Sequence, residues 1–213
     1  METGRREALR YLGYGIGEAD GEILKLLCEC ERELQETADC RFLMREFPLV
    51  FTEDGKVDGG CFQTDSKSLR KNLAGCERVL VLAATLGAGV DRLLARYGRL
   101  KVSKAVVLQA ASAAMIEAYL NELCGGWRAE YEKKGLYLRP RFSPGYGDFP
   151  LACQPQLLGG LEAAKRIGIT LTDSLLMLPS KSVTAVIGVG KTKEPCLLEG
   201  CEACGKKDCA YRR

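Results

Sequence analysis

The residues with the most chemistry to offer lie in one short stretch, RFSPGYGDFP, residues 141 to 150. Its two prolines and two glycines exclude a regular helix or a central strand, yet they enclose an arginine, aromatic rings and an aspartate. Pro144 holds Ser143 extended, and Gly145 removes a side chain where a guest would approach the main chain, so peptide N–H and C=O groups can face a ligand. Arg141 offers a planar fork of donors suited to a carboxylate or phosphate. Tyr146 offers a ring face for a heterocycle or a cation, together with a hydroxyl. A zwitterionic small molecule with a heterocycle would use all of these groups, while a tight turn with a surface arginine accounts for the same residues.

Glu117 is the second candidate, in the middle of the apolar run SKAVVLQAASAAMIEAYLNELC, residues 103 to 124. A carboxylate among Met115, Ile116, Ala118 and Tyr119 is costly unless it meets a cavity, water or a partner. The other reading places it on a wet stripe with Ser112 and Asn121. The third candidate is the set Cys196, Cys201, Cys204 and Cys209, spaced C-x4-C-x2-C-x4-C near the C-terminus. Four thiolates so close in sequence can converge on one zinc ion or one iron–sulfur cluster, and the first three match plant-type ferredoxin spacing. A loose segment of oxidisable thiols is the alternative.

Regular elements must hold these groups in place. Residues 19–36 put Ile23, Leu27, Cys30 and Leu34 at helical spacing with Asp20 as N-cap; Cys28 and Cys30 fall on different faces, which argues against a metal pair. Residues 42–63 alternate weakly and predict short strands or a hairpin about Asp54-Gly55. A short helix from Ser66 to Cys76, a buried strand over 78–85 and a helix through Val90, Leu93, Leu94 and Tyr97, stopped by Gly98, follow. The longest helix, 103–124, takes Ser103 as cap and Gly125-Gly126 as terminator. Beyond the loop, Pro155 to Arg166 reads as one helix ended by Gly168, and ITLTDSLLMLP and SVTAVIGVG as extended segments. Strands and helices mix without a regular βαβ beat. The predicted class is therefore α+β: one domain over 1–190 on a twisted, mainly antiparallel sheet with flanking helices, then an irregular cysteine-rich tail over 191–213.

Composition narrows the function classes. With 213 residues, 46% apolar and 28% charged, the chain can bury a sizeable core. The net charge of +3 is interleaved along the sequence and makes a weak field for a dedicated nucleic-acid binder. The absence of histidine removes His-based triads and His-ligated metals. Eleven cysteines, an odd number without an export-type leader, argue against a disulfide framework and for a cytoplasmic location with no membrane partner. Most of the seven outside the tail read as small core hydrophobes.

The loop, the helix after it and IGITLTDSLLMLPSKSVTAVIG together resemble the AdoMet-binding activation domain of cobalamin-dependent methionine synthase. The resemblance rests on Arg141, Gly145 and Tyr146, matching an R-x-x-x-G-Y motif, and on Gly168, Leu171, Thr172, Ser174, Met177 and Pro179, matching a second motif; it spans residues 103 to 187. It implies an S-adenosylmethionine site in which Ser143, Pro144, Gly145 and Tyr146 hold the ligand, Arg141 receives its carboxylate and Glu117 lies near its charged portion. In that family the domain rescues cobalamin oxidised to cob(II)alamin: a reductase supplies one electron and AdoMet methylates the cob(I)alamin formed. The substrate, folate and cobalamin modules of the long enzymes are not in this sequence, nor are their N-terminal acidic motif and aromatic C-terminal segment. The expected role is thus that of a stand-alone accessory protein, acting in trans on a methionine synthase core or related corrinoid methyltransferase, with an electron donor nearby. A cluster on the tail could relay that electron. The alternative is a metal-tailed interaction module binding nucleic acid or a protein partner through Lys206, Lys207, Arg212 and Arg213, although Tyr211 alone supplies an aromatic ring there.

Overall fold

Strands covered on both faces are apolar at successive positions, and helices covered on one face are apolar at every third or fourth. Both patterns are realised in the computed structural model, which describes residues 2–14 and 19–193. The elements run α1 (Glu2–Tyr11), α2 (Gly21–Thr37), β1 (Arg41–Pro48), β2 (Val50–Phe51), β3 (Val57–Asp58), β4 (Gln63–Thr64), α3 (Lys67–Asn72) and β5 (Cys76–Thr85). They continue with α4 (Ala88–Leu100), α5 (Val102–Glu132), β6 (Tyr137–Leu138), a 3-10 turn (Leu151–Cys153), α6 (Gln154–Gly160), α7 (Ala163–Ile167), β7 (Thr170–Leu171), β8 (Met177–Leu178) and β9 (Ser182–Gly190). The main sheet has the order β1-β5-β9-β6 with every pairing antiparallel, and helices flank it. This is the α+β arrangement that the pattern predicts.

The inner strand β5 separates two cores by simple alternation. Leu80, Leu82 and Ala84 face one way, with Ala185, Ile187 and Val189 of β9, and pack against Leu27, Cys30 and Leu34 of α2 and Leu108, Leu120 and Trp127 of α5. Val79, Val81 and Ala83 face the other way, with Val186, onto Leu69, Leu73, Phe149, Leu157 and Leu161. Asp20 caps α2 as expected, its carboxylate accepting from the Ile23 N–H at 2.8 Å. Cys28 is exposed and Cys30 buried, on different faces of that helix.

Several boundaries differ from the sequence reading. The 42–63 region holds one long strand, β1, paired with β5 along its whole length; the Asp54-Gly55 hairpin is the smaller β2–β3 unit beside it. Gly98 does not stop α4, and Ser103 lies inside α5. The start of α5 is anchored by buried Lys104, whose ammonium meets Glu33 at 2.5 Å and Glu29 at 3.8 Å. Nor do Gly125 and Gly126 end α5. Glycine costs a helix interior about 1 kcal/mol relative to alanine, which burial of Cys124 and Trp127 outweighs. Trp127 is 8% exposed and its ring lies 5.7 Å from that of Phe42. The helix expected over 155–166 breaks at Glu162, which adopts a left-handed φ of 53°. Leu161 and Ala163 are both buried, and an unbroken helix would turn them some 200° apart.

Candidate functional site

The loop is built by its own sequence. The Tyr146 N–H donates to the Ser143 carbonyl at 3.0 Å across Pro144 and Gly145, and Gly145 has φ +90°. Proline at the second position and a positive-φ glycine at the third are what a type II turn demands. A second turn follows, Phe149 N–H to Tyr146 carbonyl at 2.9 Å, while the Gly145 N–H closes on the Phe149 carbonyl at 2.8 Å. Gly147, at φ +55°, leaves only tight space for a Cβ, which would sit 3.0 Å from the Ser68 hydroxyl. The expectation that the loop turns its N–H groups to a ligand is thereby corrected at Gly145 and Tyr146, because the turns consume both. The carbonyls of Pro144 and Gly145 accept no hydrogen bond among the described residues.

Arg141 and Phe142 open the loop in extended geometry. Phe142 exchanges two backbone hydrogen bonds with Val186 of β9, both 2.9 Å. Consecutive side chains of an extended segment point to opposite faces. Phe142 accordingly packs on the second core, near Phe149 at 6.2 Å between ring centroids, and Arg141 points to α5. There its Nη2 donates to Glu117 Oε2 at 3.1 Å and to Asn121 Oδ1 at 2.9 Å. Glu117 and Asn121 are four residues apart and so share one face of α5. Both contacts use the same nitrogen. Nη1 and Nε make no hydrogen bond among the described residues, so these two donors stay open on either side of the occupied Nη2.

Glu117 therefore has a partner, and neither sequence reading of it is complete. It is half-buried, Asn121 is exposed, and Ser112, expected on the same wet stripe, is buried with its hydroxyl donating to the Gln109 carbonyl at 3.1 Å. Ser143 is half-buried and Pro144 buried. Tyr146 is 70% exposed, its ring edge-on to Phe142 with centroids 6.2 Å apart. Buried Cys124 lies within the fields of Arg141 and Arg128; burial pushes its thiol upward and the two arginines oppose this.

Asp148 is the residue that sequence reasoning missed. Its carboxylate accepts from the Ser66 hydroxyl at 2.5 Å and from the Lys67 and Ser68 N–H groups at 2.8 and 3.0 Å, so the loop caps the first turn of α3 from some 80 residues away in sequence. The Ser66 hydroxyl bond, ahead of the backbone N–H groups, holds this carboxyl well below the usual aspartate range, against a smaller opposing effect of burial. No local spacing signals such a contact. Asn121, by contrast, was readable as the i+4 neighbour of Glu117.

Cys196, Cys201, Cys204 and Cys209 lie outside the described residues. Among the described residues no group of three or more His, Cys, Asp or Glu side chains could hold a metal ion, and no helix is long and apolar enough to cross a membrane.

Neither a family model nor a curated protein matches the sequence. Among solved structures, the chain is similar to the MetH reactivation domain bound to AdoHcy, with 17% identity and a TM-score of 0.65 over 91% of this chain and 76% of that one. At that identity the likeness is one of fold: the α+β architecture described above is shared with the reactivation domain.

Proposed function

We propose that the chain binds S-adenosylmethionine against residues 141–146 and presents its methyl group to a corrinoid carried by a separate methyltransferase or methionine synthase core. The observation that carries this reading is the posture of Arg141, whose guanidinium is fixed at Nη2 by Glu117 and Asn121 while Nη1 and Nε make no hydrogen bond among the described residues. An arginine held this way can donate to an amino-acid carboxylate from Nη1 or Nε with little left to order. The carbonyls of Pro144 and Gly145 can accept from an ammonium or an exocyclic amine. The exposed Tyr146 ring supplies a stacking face. Glu117 places negative charge near the cationic part of the ligand.

The shared fold adds support, because the similar domain was solved with AdoHcy, the thioether left when AdoMet gives up its methyl. Bound here, AdoMet would supply a sulfonium methyl that a reduced cobalt centre can take. The protein's part is to hold that methyl in line, which lowers the barrier by fixing orientation. The chain is incomplete alone on this reading: acceptor and electron donor come from partners. Cys196, Cys201, Cys204 and Cys209 are proposed to hold zinc or an iron–sulfur cluster. Iron, sulfide and zinc all well below stoichiometry in anaerobically purified protein would remove that part.

Calorimetry tests the binding step. Saturable uptake of one AdoMet per chain, tightened by a corrinoid protein, is expected; no heat with or without that protein contradicts the reading.

A further inference from the structure

An open concavity lies between α3 and the β2–β3 unit, with no residue of the 141–146 turn in its lining. It has a volume of about 470 Å³ and is lined by Phe51, Lys67, Arg70, Lys71, Ala74 and Gly75. That volume falls within the range of small-molecule sites. Lys67, Arg70 and Lys71 stand at i, i+3 and i+4, so α3 presents three cations on one face.

Helical charge alone accounts for part of this, since basic side chains in the last turn suit the helix dipole. It does not account for the aromatic wall or the lack of counter-charge. None of the three cations forms an ion pair with a described carboxylate. Asp54 is committed to Lys56 at 2.7 Å, Glu77 to Lys191 at 2.7 Å and Asp148 to the start of α3, and Asp65, just before α3, forms no ion pair with the three cations. Arg70 is the positioned member. Its guanidinium carbon lies 5.2 Å from the centroid of the Phe51 ring, and its Nη1 is 3.5 Å from the Lys56 carbonyl. The two lysines on the same helix face are exposed.

We propose that this concavity binds a phosphorylated ligand carrying an aromatic ring, of the nucleoside monophosphate class. Three cations, one of them a fork, suit a phosphate dianion, and the Phe51–Arg70 pair offers a flat surface on which a base can stack. The site is separate from the 141–146 loop and does not depend on what that loop binds.

The test uses the full chain at low salt, titrated with AMP, adenosine and inorganic phosphate, in the wild type and in the Arg70→Gln/Lys71→Gln, Phe51→Leu and Arg141→Ala variants. AMP is expected to saturate one site in the millimolar range or tighter. The double variant should weaken AMP and phosphate at least tenfold, as loss of charge-assisted bonds does. Phe51→Leu should weaken AMP more than phosphate, and Arg141→Ala should change neither. Adenosine should bind far more weakly than AMP. Phosphate binding as tightly as AMP removes the ring subsite. No saturable AMP binding, or AMP binding indifferent to the double variant, overturns the proposal. AMP binding that is unchanged in Arg141→Ala, in a protein whose wild type takes up no AdoMet, leaves this site standing and the loop reading fallen.

Discussion

Arg141 combines two demands on one guanidinium: Nη2 is held by Glu117 and Asn121 of α5, and Nη1 and Nε are left for a ligand. Hydrogen bonds to a charged group contribute about 1.5–3 kcal/mol each, so Arg141→Ala should weaken AdoMet binding about 10- to 100-fold. Arg141→Lys, which keeps the charge and loses the fork, should fall in between. Asn121→Ala should cost only a few-fold, because Asn121 orients Arg141 and leaves the ligand's own bonds intact; conservative replacement by Asp should restore binding. Titration of each variant at fixed ionic strength reads these ratios, and an Arg141→Ala variant that binds like the wild type contradicts the assignment. Rigid backbone residues around polar ones made Arg141, Gly145 and Tyr146 candidates in the sequence, and the turn at Gly145 was legible from its Pro-Gly pair. The pairing of Arg141 with Glu117 was not, since no sequence rule joins side chains 24 positions apart.

At the scale of elements, the loop and α3 stand or fall together through Asp148. A carboxyl whose folded value lies below its ordinary one stabilises the fold above that ordinary value, about pH 3.9, and loses this contribution as the pH falls through the folded value. The melting temperature of the wild type should therefore exceed that of Asp148→Ala by a constant margin above about pH 5, and the margin should shrink with acidification below about pH 4. Thermal melts carried from neutral pH to well below about pH 4 check this; a margin that widens on acidification would refute the capping role.

The interior of α5 allows a second prediction. Gly125 and Gly126 are exposed, and an added Cβ at either meets no heavy atom within 4 Å, so replacing both with alanine should stabilise the protein by up to about 1 kcal/mol per site. Chemical denaturation measures it, and a loss of stability would show that the helix needs glycine there for another reason. Element interiors were readable where the apolar period was strong, as in α2, β5 and β9. Ends were not: Gly98 and Gly125-Gly126 look like stops in sequence, and tertiary burial of Trp127 carries the helix past the second of them. The break at Glu162 answers to burial of Leu161 and Ala163 on the sheet, a demand that only the assembled fold imposes.

The molecule as a whole is an antiparallel sheet whose two inner strands serve two cores, and the site sits where the edge segment beyond β6 leaves β9. Pairing of Phe142 with Val186 ends at Pro144, and the turn projects from that point with α5 on one side and the second core on the other. The α+β class followed from the mixed order of strands and helices, and the two-sided burial of β5 from its unbroken apolar run. The joining of loop to α3 and to α5 did not, because it depends on contacts between distant segments. The central claim is that this projecting turn, with Arg141 at its base, grips a sulfonium amino acid. The direct measurement is a crystal structure of the full chain with AdoMet. The account predicts the ligand's carboxylate on Nη1 or Nε of Arg141 and its rings beside Tyr146. AdoMet bound elsewhere, or a turn closed on its own side chains with the ligand excluded, would contradict it.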